Sequence, residues 1–140
     1  MSKPTFVYVT YIATTIEQLW EAITSESFTQ NYWGDQLLQS DWQVGSPVEQ
    51  LDPEHGTQTI GEVLQSEPPH QLAYTFQFLD HTQPSRVRFL LEPSEYQVKL
   101  TVIHDQLSAQ SYLSHHHRWT MCLSDLKRLL EFEPMLVWVA

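Results

Sequence analysis

Among the side chains here that can move a proton near neutral pH, His104 has the most informative setting. It closes the run Val98, Leu100, Val102, His104, in which every second position faces the same way on a strand, so its imidazole is expected on an apolar, inward face. A histidine so placed needs a hydrogen-bonding partner, and the pattern favours a satisfied structural role over a catalytic one. Asp105 follows directly, but adjacent strand residues point to opposite faces, so the two are poorly placed to pair unless the strand has ended. The other concentration of ligating groups is His115-His116-His117. On a helix three consecutive side chains fan over about 200°, whereas a metal held on one helix face wants residues four apart. The run is therefore expected to be a solvated segment, and no metal site is expected. His55, His70 and His81 fall in separate turns and form no ligand set.

Nucleophilic or acid–base catalysis would need a nucleophile beside a base, a poised carboxylate pair or a bound metal. The chain has no nucleophile elbow and, with 4 Gly in all, no glycine-rich phosphate cradle. No catalytic residue is assigned and no cofactor is expected; any chemistry would centre on His104 and Tyr74. The lone Cys122 cannot form an internal disulfide.

Positioning these groups requires a sheet and at least one long helix. Phe6 to Ile12 alternates as a strand, with Phe6, Tyr8, Thr10 and Ile12 on one face and Val7, Val9 and Tyr11 on the other. Because that second face is also apolar, the strand is expected either to be covered on both sides or to lie beside the last helix. Thr14 and Thr15 can each cap a helix, with Glu17 and Gln18 three positions on, and Ile16, Leu19, Trp20 and Ile23 then form one stripe. Ser25 to Tyr32 reads as a second short helical turn, ended at Gly34. From Leu37 to His104 the period changes to two, broken by Gly45-Ser46-Pro47, Asp52 to Gly56, Pro68-Pro69 and Asp80 to Ser85, which gives six strands. Leu72, Tyr74, Phe76 and Phe78 share a face, as do Val87, Phe89 and Leu91. The short connections predict an antiparallel meander. A final amphipathic helix, Ser114 to Phe132, carries Trp119, Leu123, Leu126 and Leu130 along one stripe, with Cys122 and Leu129 at its edges. Beyond Pro134, Met135 to Ala140 is an apolar tail, expected to bury against its own domain or a homodimer partner.

The 140 residues, 41% hydrophobic and 12% aromatic, suffice for one domain with a substantial core, and neither a linker nor a repeat divides them. A formal charge of -10 repels phosphate backbones and anionic lipid surfaces, so no nucleic-acid partner and no membrane insertion are expected. Nothing at the start of the chain marks it for secretion, and a soluble, cytoplasmic protein is the expectation.

The order strand, two small helices, six strands, long helix matches the α+β helix-grip fold of the START-like superfamily. Local text sharpens the match: Leu19-Trp20-Glu21-Ala22-Ile23-Thr24, Tyr32-Trp33-Gly34, Ser40-Asp41-Trp42, Gly61-Glu62-Val63-Leu64, Glu67-Pro68-Pro69, Leu100 to Asp105, and Leu123-Ser124-Asp125-Leu126-Lys127. In that order, from about Phe6 to Phe132, these resemble the family named after the C-terminal domain of Hsp90 ATPase activators. The resemblance implies a curved antiparallel sheet of about seven strands with the long helix across it. It also implies a cavity between the two, with its mouth near the small helices. Folds of this kind host lipid carriers, hormone receptors, cyclases and chaperone activators alike.

With the strand phases above, Tyr8, Thr10, Tyr74, Phe76, Phe89, Val102 and His104 face such a cavity from the sheet, and Trp119, Cys122 and Leu123 face it from the helix. Trp33 would offer an aromatic lip, the plainer alternative being an anchor at a helix stop. The leading expectation is a module binding a hydrophobic or amphipathic small molecule. A cyclase- or hydrolase-type enzyme using the same pocket and a co-chaperone-like interaction module are the alternatives.

Overall fold

The computed structural model describes residues 3–79 and 83–132. Its elements run β1 (Phe6–Ile12), α1 (Ile16–Thr24), α2 (Glu26–Thr29), β2 (Leu37–Gln39), β3 (Pro47–Asp52), β4 (Gly56–Glu67), β5 (Gln71–Phe78), β6 (Ser85–Ser94), β7 (Gln97–Asp105) and α3 (Ala109–Phe132). The strands form one antiparallel seven-stranded sheet in the order β1, β7, β6, β5, β4, β3, β2. From β2 onward it is the expected meander. The first strand is carried past the two small helices to the far edge, where it pairs with the last.

Both small helices start on hydroxyl caps. Thr15 Oγ1 accepts from Gln18 N–H at 3.1 Å, and Ser25 Oγ accepts from Phe28 N–H at 3.4 Å. Of the two candidate caps for α1, Thr15 therefore serves, while Thr14 Oγ1 donates to the Gln18 side chain. Beyond α2, Gly34 and Asp35 both take left-handed backbone conformations, at φ 64° and 68°, and turn the chain into β2.

Curl comes from β4, whose pairing slips by one residue against β3 near Gln50 and Leu51 and again against β5 between Val63 and Gln65. Gly61 lies between the slips, and here only glycine fits. A Cβ on it would stand 1.8 Å from the Thr75 carbonyl oxygen, and the next residue, Glu62, donates its N–H to Thr75 Oγ1 at 2.8 Å. The backbones of β4 and β5 touch at this point, so the sheet bends.

The concave face carries the expected apolar rows. Leu72, Tyr74 and Phe76, then Val87, Phe89 and Leu91, then Val98, Leu100, Val102 and His104 are all buried, and α3 lays Trp119, Cys122, Leu123, Leu126, Leu129 and Leu130 against them. Each such large side chain removed from water contributes about 1.5–3 kcal/mol. At its far end α3 is fastened to β1: Lys127 Nζ donates to the Tyr11 carbonyl at 2.6 Å, and Glu131 Oε2 accepts from Ala13 N–H at 2.8 Å.

One expectation is decided and one changes. Of the two readings of β1, it lies beside the last helix and is not covered on both sides: Val7, Val9 and Tyr11 are exposed, because β1 is the sheet edge and α3 takes only its inner face. The last helix begins at Ala109, five residues before Ser114. Ser108 starts it, its Oγ accepting from Ser111 N–H at 3.1 Å. No described helix is long and apolar enough to cross a membrane. The expected packing of Met135 to Ala140 falls outside the described residues.

Candidate functional site

His104 is completely buried near the end of β7, opposite Val87 of β6 and Phe6 of β1. Its two ring nitrogens are both used. Trp119 Nε1, a donor only, gives its proton to Nδ1 at 2.9 Å, so the imidazole proton sits on Nε2 and is donated to Ser85 Oγ at 2.7 Å. Ser85 in turn donates to the Phe76 carbonyl at 2.8 Å. The direction of this relay, indole to imidazole to hydroxyl to backbone, decides its chemistry. No lone pair of His104 is left to take a proton from Ser85, so the pair is not a nucleophile with its base. Burial, helped by the neighbouring His115 and opposed by Asp105, pulls the His104 pKa down to about 3, and the ring is neutral at physiological pH. Asp105 points the other way, as strand alternation demands, and bonds Arg86 Nε at 2.9 Å. That hydrogen bond is the main reason its carboxyl lies below the usual range.

The histidine run corrects the reading of it as a solvated segment. His115 is buried, with its ring centroid 4.6 Å from that of His104 and 5.6 Å from those of Phe76 and Phe78. The solvated reading holds for the other two: His116 is exposed, though its ring meets Phe6 edge-on at 5.3 Å, and His117 is exposed. The cause is helical spacing: position 115 lies one turn before Trp119 on the same, inward face of α3. The three rings still diverge. Among the described residues no group of His, Cys, Asp or Glu is placed to hold a metal ion.

Next to this relay opens a cleft of about 580 Å³ between the ends of β5 and β6 and the first two turns of α3. Phe76, Phe78 and Leu107 give it apolar walls. Gln77, Gln83, Gln106 and Gln110, with Ser85, Ser108, Ser111 and Ser114, supply neutral donors and acceptors, and Lys3 and His115 complete the lining. Among the described residues no carboxylate borders it.

Of the eleven residues expected to face a cavity, Phe76 lines this cleft, and His104 stands directly behind Ser85 and His115. Deeper in the clasp, rings occupy the space: Trp42 meets Tyr74 at 5.7 Å, Tyr74 meets Phe89 at 6.2 Å, Phe89 meets Trp119 at 5.9 Å, and Trp119 meets Trp33 at 4.9 Å. Val102, Cys122 and Leu123 are buried around them, and Tyr8 and Thr10 are half-buried towards the β1 edge. Trp33 is an anchored core ring, not a lip. Sequence reasoning missed Ser85, Leu107, Ser111, Ser114 and His115. Ser85 sat at the end of a turn segment, Ser111 fell before the expected helix start and Ser114 at it; only the spacing of His115 from Trp119 could have signalled an inward face.

No curated protein matches the chain. Solved structures do. CalU16 from Micromonospora echinospora superposes with a TM-score of 0.77 at 19% identity over 95% of this chain and 80% of its own. A protein from Mesorhizobium loti gives 0.81 at 22% identity over 91% and 96%, and an HSP90 activator from Plasmodium falciparum gives 0.73 at 17% identity over 90% and 95%. At such identities the likeness shows the helix-grip fold. The family model described as activator of Hsp90 ATPase homolog 1-like protein matches residues 13–131, nearly every element that builds the clasp, and the chain belongs to that family.

Proposed function

We propose that this protein binds an amphipathic small molecule in the cleft between the ends of β5 and β6 and the start of α3, and that it does so without covalent chemistry. The observation that carries this reading is the cleft itself. Its 580 Å³ lies within the range of about 300–1,000 Å³ of small-molecule sites. Three apolar side chains flank a ring of amides and hydroxyls that can hydrogen-bond an uncharged oxygenated group without the desolvation cost of a charge. A cyclase-type role in the same place would have to work by shaping its substrate, since His104 has no free lone pair. Thermal unfolding in the presence of 1-naphthol and of 1-decanol tests the reading. A saturable rise in melting temperature is expected for at least one, and it should vanish in Ser114→Trp, where an indole fills the cleft. No rise in the native protein, or an undiminished rise in the variant, would remove the proposal.

The family match favours a second reading, stimulation of an Hsp90-type ATPase. Adding the protein to such an ATPase and finding turnover unchanged at saturating concentration would dispose of it.

A further inference from the structure

At the other end of β5 from the cleft, where β4 turns into it, a second opening of about 580 Å³ lies at the surface. The C-terminal half of α1, the connection from β2 to β3, and Ser66 and Pro68 enclose it. Trp20 and Trp42 line it, with Val44, 68% exposed, in the same wall. Both indoles are half-buried: they rest on the core and still border this space.

Trp42 is held here against its backbone preference. Its φ of 57° is left-handed, a conformation that a bulky side chain keeps only where its surroundings compel it and that gathers at ligand sites. Ser40 Oγ accepts its backbone N–H at 3.0 Å, and the Thr24 carbonyl accepts its Nε1–H at 2.8 Å. With that donor spent, the Trp42 side chain offers the opening a π surface alone. Thr24 is spent likewise, its hydroxyl donating to the Trp20 carbonyl at 2.8 Å, so only oxygen lone pairs remain there.

Charge then selects the ligand. Asp41, which is exposed, is the one charged side chain among those lining the opening, and no basic group answers it there. All 7 lysines and arginines lie elsewhere: Lys3 at the cleft, Arg86, Arg88 and Lys99 on β6 and β7, and Arg118, Lys127 and Arg128 on α3. A carboxylate, two indoles and hydroxyl lone pairs all attract positive charge, whereas an anion would meet Asp41 with nothing to offset it.

We propose that this opening binds an N-methylated ammonium group, with its methyls against Trp20 and Trp42 and its charge facing Asp41. A primary ammonium brings three N–H donors that each need an acceptor. A quaternary nitrogen needs none, and its attraction to π surfaces and to a carboxylate is what the opening supplies. The site shares no lining residue with the cleft at the start of α3 and does not depend on it.

Proton–nitrogen NMR titration at fixed ionic strength, with choline and with 3,3-dimethyl-1-butanol, in which carbon replaces the nitrogen, tests the proposal. Choline should move the indole N–H signals of Trp20 and Trp42 saturably and bind at least about fivefold more tightly than the alcohol. Asp41 and Val44 are exposed, and no hydrogen bond among the described residues uses either side chain, so both can be replaced without disturbing the core. Asp41→Asn should lose most of the preference for choline. Val44→Arg, which brings a guanidinium to the opening, should abolish choline binding, and Ser114→Trp, which blocks only the cleft, should leave it unchanged. Equal affinity for choline and the alcohol in the native protein, or a preference that survives both Asp41→Asn and Val44→Arg, would overturn the assignment. So would shifts confined to the other indoles, or loss of choline binding in Ser114→Trp, either of which would put the ammonium elsewhere.

Discussion

The two buried tyrosines of the clasp should respond with opposite signs to the same chemical change. In Tyr32→Phe the Ala22 carbonyl, near the end of α1, loses the 2.7 Å hydrogen bond it accepts from the phenol. A buried hydrogen bond contributes about 1 kcal/mol net, and an acceptor left dry costs about 1–3 kcal/mol. Tyr32→Phe should therefore destabilise the ligand-free protein by about 1–2 kcal/mol. In Tyr74→Phe the hydroxyl removed has no partner among the described residues of the folded state but is hydrated in the unfolded chain. Its burial is a cost that the variant no longer bears, so stability should rise by about 1 kcal/mol. For a chain of this length that corresponds to roughly 3–5 °C in melting temperature. Urea unfolding, followed by circular dichroism with the slope checked for constancy, reads both values directly. A loss of stability in Tyr74→Phe as large as that in Tyr32→Phe would refute the reasoning, because the Tyr74 hydroxyl would then have to be satisfied.

The pH dependence follows from His104. Its folded-state pKa of about 3 lies below the unfolded value, so the neutral ring is what folding favours. The stabilisation is complete above pH ~6.5 and drains away as pH falls towards 3, with a slope of up to about 1.4 kcal/mol per pH unit. His104→Gln should be less stable than the native protein at pH 7 but lose less stability between pH 6.5 and 4, measured by urea midpoints across that window. Gly61→Ala drives a methyl group into the Thr75 carbonyl and should cost upwards of about 3 kcal/mol or prevent folding. At Gly45, which has open space but a φ of 90°, the same substitution should cost only about 1 kcal/mol, both read by thermal melts. Burial pushes the Cys122 thiol up to about 11, so a thiol-reactive disulfide reagent at pH 8 should label it only as fast as the protein opens, and at once in denaturant.

The sequence made the clasp legible because both of its halves are periodic. The inward faces of β5, β6 and β7 and the stripe of Trp119, Leu123, Leu126 and Leu130 are each a repetition that burial enforces, and all of them are where alternation or helical spacing put them. The inward setting of His104 was readable for the same reason. Its partners were not: Ser85 and Trp119 stand 19 and 15 residues away, and no local pattern announces a hydrogen bond across strands. The first turns of α3 were hidden by their own role, since a helix segment that borders a cleft carries serine and histidine inward and has no apolar stripe to detect. The outer face of β1 was left undecided because Val7, Val9 and Tyr11 look like core, and only the knowledge that β1 is an edge shows that they are exposed.

The bonds from Trp119 to His104 and from His104 to Ser85 have one more effect. Leucines gripping a greasy surface tolerate sliding, since one rung of the helix fits much as the next does. A polar stitch does not. Were α3 to ratchet forward by one turn, about 5.4 Å, an indole N–H and both imidazole nitrogens would be stranded dry inside the protein. The rod is thereby pinned lengthwise as well as pressed down, and the opening beside its first turns keeps its width.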